Sequence, residues 1–248
     1  MKLDISLAPE TLFYIGSVAI SNSFFWLLVL TFFILVGVFF LNRSLKMRPG
    51  KVQNVFEMLL AGAFDFVETT VGSKSLAQKT FPLVFTLFFF ILVSNLITFI
   101  PGQAAVTIET AGGVVPLFRA IIADYSLVFM MTMLSVLITQ IVAIYVAGPF
   151  RYLGRFLNFT SPLNFFLGLM DLIGEVAKVM SLSFRLFGNI FAGEVLGAVM
   201  LFLFPFFLPL PFAFLGLLTA VVQAFVFAVL TLVFISMAAT VSEESEAA

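Results

Sequence analysis

Long apolar runs separated by short polar or Pro/Gly breaks dominate this chain. The first covers residues 21–41, "SNSFFWLLVLTFFILVGVFFL", a length that suits one membrane span. It ends in Arg43, Lys46, Arg48 and Lys51, with Pro49-Gly50 as a breaker. Over 51–72 the pattern changes. Val55, Met58, Leu59 and Phe66 alternate with Glu57, Asp65 and Glu68 at roughly helical spacing, which predicts an amphipathic helix at the membrane surface. Lys74 and Lys79 precede a second span at 81–100, which Pro101-Gly102 ends. A third run, 118–148, holds Arg119 and Asp124 near its start and Gln140 further on. Residues 162–200 contain no breaker strong enough to stop a helix. The Pro-rich stretch 204–212, "FPFFLPLPF", predicts a turn before a last run at 213–240 and an acidic tail, "SEESEAA". The pattern predicts one all-α integral membrane domain of about five embedded helices plus a surface helix, the last two long and strongly tilted.

Composition narrows the class further. Hydrophobic residues make up 62% of the 248, and only 10% are charged, against about 25% in an ordinary soluble domain. With 35 phenylalanines and a mean hydropathy of +1.20, a water-soluble fold has no way to hide this much apolar surface. Cysteine and histidine are both absent. That removes disulfides, thiol nucleophiles, thiolate metal sites and the side chain that titrates near neutral pH. Proton chemistry here must run on carboxylates, polar groups and water. The net charge of −1 carries no basic patch for nucleic acid. No phosphate-binding glycine loop is present for a nucleotide. No cofactor or metal is implied.

The first run lacks a signal peptide's basic start, since Lys2 stands alone and Asp4 and Glu10 interrupt the approach; it reads as a retained anchor. Arg43, Lys46, Arg48, Lys51, Lys74 and Lys79 fall in one connection, Arg151 and Arg155 in another. Five spans put both on one side, expected to be the cytoplasm or matrix, with the N-terminus outside and the tail inside.

The run 162–200 is too long for an upright span: as one helix it extends roughly 58 Å at about 1.5 Å per residue, across a hydrocarbon core of about 30 Å. A steep tilt or bend is required. On a helical wheel at about 100° per residue with Arg185 at zero, Lys178 falls near +20°, Asp171 and Asn189 near +40°, Glu175 near +80° and Ser181 near −40°. Glu194 falls near 180°, on the other face and about 13 Å further along. Asp171, Glu175 and Lys178 are spaced to pair locally as a salt-bridged helix start. Arg185 has no acid three or four residues away. A guanidinium keeps its proton in a protein, and a charge at the bilayer centre costs about 2.5–3.5 kcal/mol on insertion scales. It must therefore face water, a partner charge or another protein.

The run Ser183-Phe184-Arg185-Leu186-Phe187-Gly188-Asn189, continuing to Ala192-Gly193-Glu194, resembles subunit a of the F-type ATP synthase. So do Gln223-Ala224-Phe225-Val226-Phe227 with Leu230-Thr231, and, more weakly, Asn95-Leu96 with Pro101. The resemblance implies the stator half of a proton turbine in a bacterial inner membrane or a mitochondrial one. Its partners would be a c-subunit ring, the peripheral-stalk b subunits and membrane lipid. Two offset aqueous half-channels would meet the ring, with Arg185 separating them and facing the passing carboxylate of each c subunit. The subunit itself would bind no ATP. By the same resemblance Asn189 is a polar wall near Arg185, Glu194 a relay in the outside half-channel, and Gln223 the polar partner of the arginine. Asp171, Glu175, Lys178, Ser181, Asn95 and Asp124 are possible half-channel lining.

Two positions depart from the family pattern. Gly216 stands where many members carry His or Glu, so a relay there falls to water, Glu194 or another group such as Asp124. Thr98 stands where the family often has Gly. Two other readings exist. A secondary transporter would use Arg185 to hold an anion, but no internal repeat or Gly/Pro-broken helix pair is visible. A membrane scaffold leaves the polar stripe unexplained, and Gln223 by itself is equally an interhelical hydrogen-bonding residue.

Overall fold

The computed structural model describes residues 9–16, 18–100, 106–110, 113–148, 152, 154, 156, 162–203 and 209–244. Among them, β1 (Thr11–Ile15) and β2 (Val18–Ser21) form an antiparallel hairpin. Three helices follow: α1 (Asn22–Ser44), α2 (Lys51–Val71) and α3 (Lys74–Ile97). A second hairpin, β3 (Thr107–Thr110) with β4 (Gly113–Pro116), and a 3-10 turn at Ile121–Ala123 lead into α4 (Tyr125–Ala147). The long helices α5 (Pro162–Leu203) and α6 (Pro209–Glu244) complete the chain. All but α2 are long and apolar enough to cross a membrane, five in number among the described residues.

Local chemistry explains the boundaries. Ser21 caps α1, its Oγ accepting from the Phe24 amide at 3.2 Å. Gly72 ends α2 at φ +72°, a left-handed conformation that costs glycine little, and its N–H returns to Glu68 O at 2.9 Å. α3 starts at Lys74, ahead of the apolar run, where extended Ser73 precedes it and the Ser73 carbonyl accepts from the Ala77 amide at 2.9 Å.

The apolar run 118–148 divides into a 3-10 turn and a helix. α4 begins at Tyr125, and Asp124 caps it by accepting from the Ser126 amide at 3.0 Å. Ahead of it, Ile121, Ile122 and Ala123 are buried in the 3-10 turn. Buried apolar residues read alike in a turn and in a helix, so hydropathy alone merges the two. The hairpins were also not anticipated. Pro101-Gly102, Arg151, Arg155, the 204–208 part of the Pro-rich turn, the last tail residues and Lys2 with Asp4 lie outside the described residues.

α6 is the centre of the bundle and packs on α3, α4 and α5. Ala220, Gln223, Ala224, Phe227, Ala228, Thr231, Leu232 and Ile235 recur every three or four residues and are all buried. The alanines let neighbouring backbones approach, which is how helices associate where lipid supplies no hydrophobic drive. One core joins Ile91 of α3, Ile122 and Val128, Leu182, Leu186 and Ile190 of α5, and Phe227. α1 is peripheral. Its N-terminal end is held by Asn22 Nδ2 donating to Pro116 O at 3.3 Å and by Trp26 packing edge-on against Phe118 at 4.5 Å.

Candidate functional site

The 42 residues of α5 extend about 63 Å. Their polar side chains are sorted by packing into three places. Toward the start of the helix, Glu175 accepts two hydrogen bonds, from Lys178 Nζ at 2.7 Å and from Gln140 Nε2 of α4 at 2.5 Å. Lys178 Nζ also sits 4.6 Å from the ring centre of Phe234 on α6, a cation–π contact. These residues tie α4, α5 and α6 together. Asp171, half-buried one turn earlier, also has an interaction partner. Ser181 is exposed.

Arg185 comes next. The buried face of α5 is formed by Gly168, Leu182, Ser183, Leu186 and Ile190. Arg185 lies beside that face rather than on it and is exposed. Among the described residues no carboxylate comes within salt-bridge distance of its guanidinium. Glu175 and Lys178 are held in contacts, whereas this cation is presented outward.

The third place is a cavity of about 390 Å³ between α5 and α6. Asn189 and Glu194 line it together with Thr98, Phe99, Gly216 and Thr219. The wheel put Asn189 and Glu194 on different faces, and the cavity is broad enough to take both. Arg119, just ahead of the 3-10 turn, acts on the Glu194 carboxylate through its charge. The absent side chain at Gly216 has a physical counterpart: a Cβ there would meet Cε1 and Cζ of Phe99 at 3.0 and 3.1 Å. Phe99 thus occupies the space a larger residue at 216 requires. Thr98 contributes a hydroxyl to the wall while donating to Asn95 O at 2.6 Å. The wall is mostly apolar, with Thr98, Asn189, Glu194 and Thr219 supplying its polar side chains, and the volume is roomy enough for several waters.

Asn95 and Gln223 are both buried at the α3–α6 seam. Asn95 Nδ2 donates to Ala220 O at 3.1 Å. Asn95 Oδ1 and Gln223 Nε2 have no hydrogen-bond partner among the described residues, so an acceptor and a donor are left on facing helices. No hydrogen bond joins Gln223 to Arg185 among these residues. Asp124 is buried and serves as a helix cap. The structure thus brings Asn189 and Glu194 together, and Glu175 with Lys178. It holds Arg185, Asp124 and Gln223 in separate settings. Arg119, Gln140 and Thr219 were not singled out from the sequence as site residues. For Arg119 the signal was there, one of two charges in an apolar run; Thr219 offered none.

Five long apolar helices with ionisable groups held inside them define a polytopic membrane protein. Comparison with known proteins identifies it further. The model of the family described as ATP synthase A chain matches residues 23–236. The chain is 32% identical to ATP synthase subunit a of Moorella thermoacetica, covering 92% of this chain and 95% of that one. It is also 32% identical to the Campylobacter hominis protein of the same name, covering 98% and 100%. With that of Desulfotalea psychrophila the identity is 35%, covering 85% and 81%. The chain belongs to the ATP synthase A chain family. It is a proton-translocating, non-catalytic stator component of the ATP synthase and a multi-pass bacterial inner-membrane protein.

Proposed function

We propose that this chain forms two offset aqueous half-channels against a rotating ring of c subunits, with Arg185 between them. A ring carboxylate passing from one channel to the other must be ionised, and a bare carboxylate in hydrocarbon is prohibitive. A cation across the interface stabilises it. Arginine serves better than lysine, because it cannot release a proton and so cannot carry one across. The observation that carries the reading is the exposed, unpaired Arg185 between two polar places on one helix. The Glu175–Lys178 cluster lies behind it, and the Glu194–Asn189 cavity lies ahead.

In this reading the cavity is part of the outside half-channel. Glu194 relays protons there through water, since Gly216 offers no second carboxylate. Ser181, Asp171, Glu175 and Lys178 line the inside exit. Gln223 and Asn95 form the polar seam near the barrier. α5 lies well over toward the membrane plane, because about 63 Å of helix exceeds the hydrocarbon core twofold. The N-terminus faces outside and the C-terminal tail the cytoplasm. The peripheral-stalk b subunits hold the chain against rotation.

The test is Arg185→Ala in the reconstituted complex. ATP-driven proton pumping is expected to be lost, with or without a passive leak. Pumping near the wild-type rate refutes the proposal.

A further inference from the structure

A wide groove in the described structure lies away from the proton path. α1 is anchored at its N-terminal end, and its C-terminal half stands off from α2. Between them is a groove of about 810 Å³. Its floor is hydrocarbon, including Leu35, Val38, Phe39, Leu41, Phe56 and Leu60. Its mouth is basic: Lys46 and Lys51 line it directly, and Arg43 and Arg48 stand in the same turn.

The mouth is held in shape. Gln53 accepts from the Lys46 amide at 3.1 Å and donates to Lys46 O at 3.1 Å, fastening the turn to the first turn of α2. The one carboxylate on the lining, Glu57, is engaged by Gln53 Nε2 at 2.7 Å. Among the described residues no carboxylate lies within salt-bridge distance of Lys46 or Lys51. Arg43 is turned back over Phe39, its guanidinium carbon 4.9 Å from the ring centre. Phe56 and Leu60 also line a second, wholly apolar cavity of about 580 Å³ between α2, α3 and α6, so the apolar surface continues past α2.

We infer that this groove holds an anionic phospholipid, with one acyl chain along the α1–α2 floor and the phosphate at Lys46 and Lys51. An occupant must be anionic at one end and hydrocarbon for the rest of its length. The site lies where a membrane span ends in a basic cluster, the level at which anionic headgroups are recognised. A stalk helix crossing the same place would have to match two unpaired lysines with an acid and then present only apolar side chains.

The intact complex, purified in detergent, tests this. It is titrated with phosphatidylglycerol and, separately, phosphatidylcholine, each with a photoactivatable acyl chain, and adducts on this subunit are mapped by mass spectrometry. Phosphatidylglycerol is expected to label residues 35–60 saturably and phosphatidylcholine only weakly. At about 1 kcal/mol per basic residue and 1.4 kcal/mol per decade, Lys46→Gln with Lys51→Gln weakens phosphatidylglycerol labelling about 30-fold. These lysines are exposed, so the pair does not threaten the fold. Val38→Trp, which fills the floor, abolishes labelling of the groove for both lipids. Labelling that is equal for the two lipids, or unchanged in both variants, overturns the inference. So does loss of the stalk subunits from the Lys46/Lys51 variant with its lipid labelling intact, which would assign the groove to protein.

Discussion

Removing the Glu175 carboxylate is the sharpest probe of what holds the polar part of α5 in place. The side chain is 15% exposed and Lys178 28%. At their 2.7 Å separation and an effective dielectric near 20, the attraction is about 6 kcal/mol, most of it offset by desolvation of the two ions. Deleting one partner of a buried pair leaves the other uncompensated, at a cost of about 3–5 kcal/mol. Because Lys178 keeps some exposure and the Phe234 ring, Glu175→Ala is expected at the lower end, about 3 kcal/mol. Glu175→Ala with Lys178→Ala is expected to recover most of this, leaving about 1 kcal/mol for the lost Gln140 bond. The assay is an SDS titration of the purified complex that follows release of this subunit, with free energies taken from the midpoints. A Glu175→Ala midpoint equal to wild type, or a double variant less stable than the single one, refutes the reasoning.

The other predictions use the same complex. Glu194→Gln is expected to slow proton flux without abolishing it, unlike Arg185→Ala, because water in the cavity persists; ATP-driven acidification of vesicles measures both. Gly216→Ala is expected to be tolerated, since Phe99 lies beyond the end of α3 and its ring can yield a few tenths of an ångström into the cavity. Gly216→Glu is expected to depress flux, and Phe99→Ala on top of it to restore part of the loss. Asp124→Ala removes the α4 cap and is expected to cost about 1 kcal/mol in the SDS titration, with Asp124→Asn near wild type.

Much of the architecture was legible because lipid leaves few choices. A chain this apolar must satisfy its backbone within each segment, so run length predicts helices directly. The amphipathic 51–72 stretch stood out by the same periodicity. What was illegible were the joints. Residues 121–123 are as apolar as a span, and their burial against the bundle goes with a turn rather than a helix. The two hairpins carry no signal strong enough to separate them from loop.

The site divides along the same line. That Arg185 is charged, lies inside an apolar helix and has no acid one turn away is a property of the sequence and the helical repeat, whatever the neighbours. The spacing of Glu175 and Lys178 likewise permits their pairing. Which of the polar residues meet is a matter of tertiary structure. Gln140 reaches Glu175 from 35 positions away, and Asn95 reaches Ala220 from 125 away. The cavity that unites Asn189 and Glu194 is closed by Thr98, Phe99, Gly216 and Thr219 from other helices. A helical wheel orders side chains around one axis only. The walls of a cavity, and the charges left without a partner, depend on how several axes are set against one another.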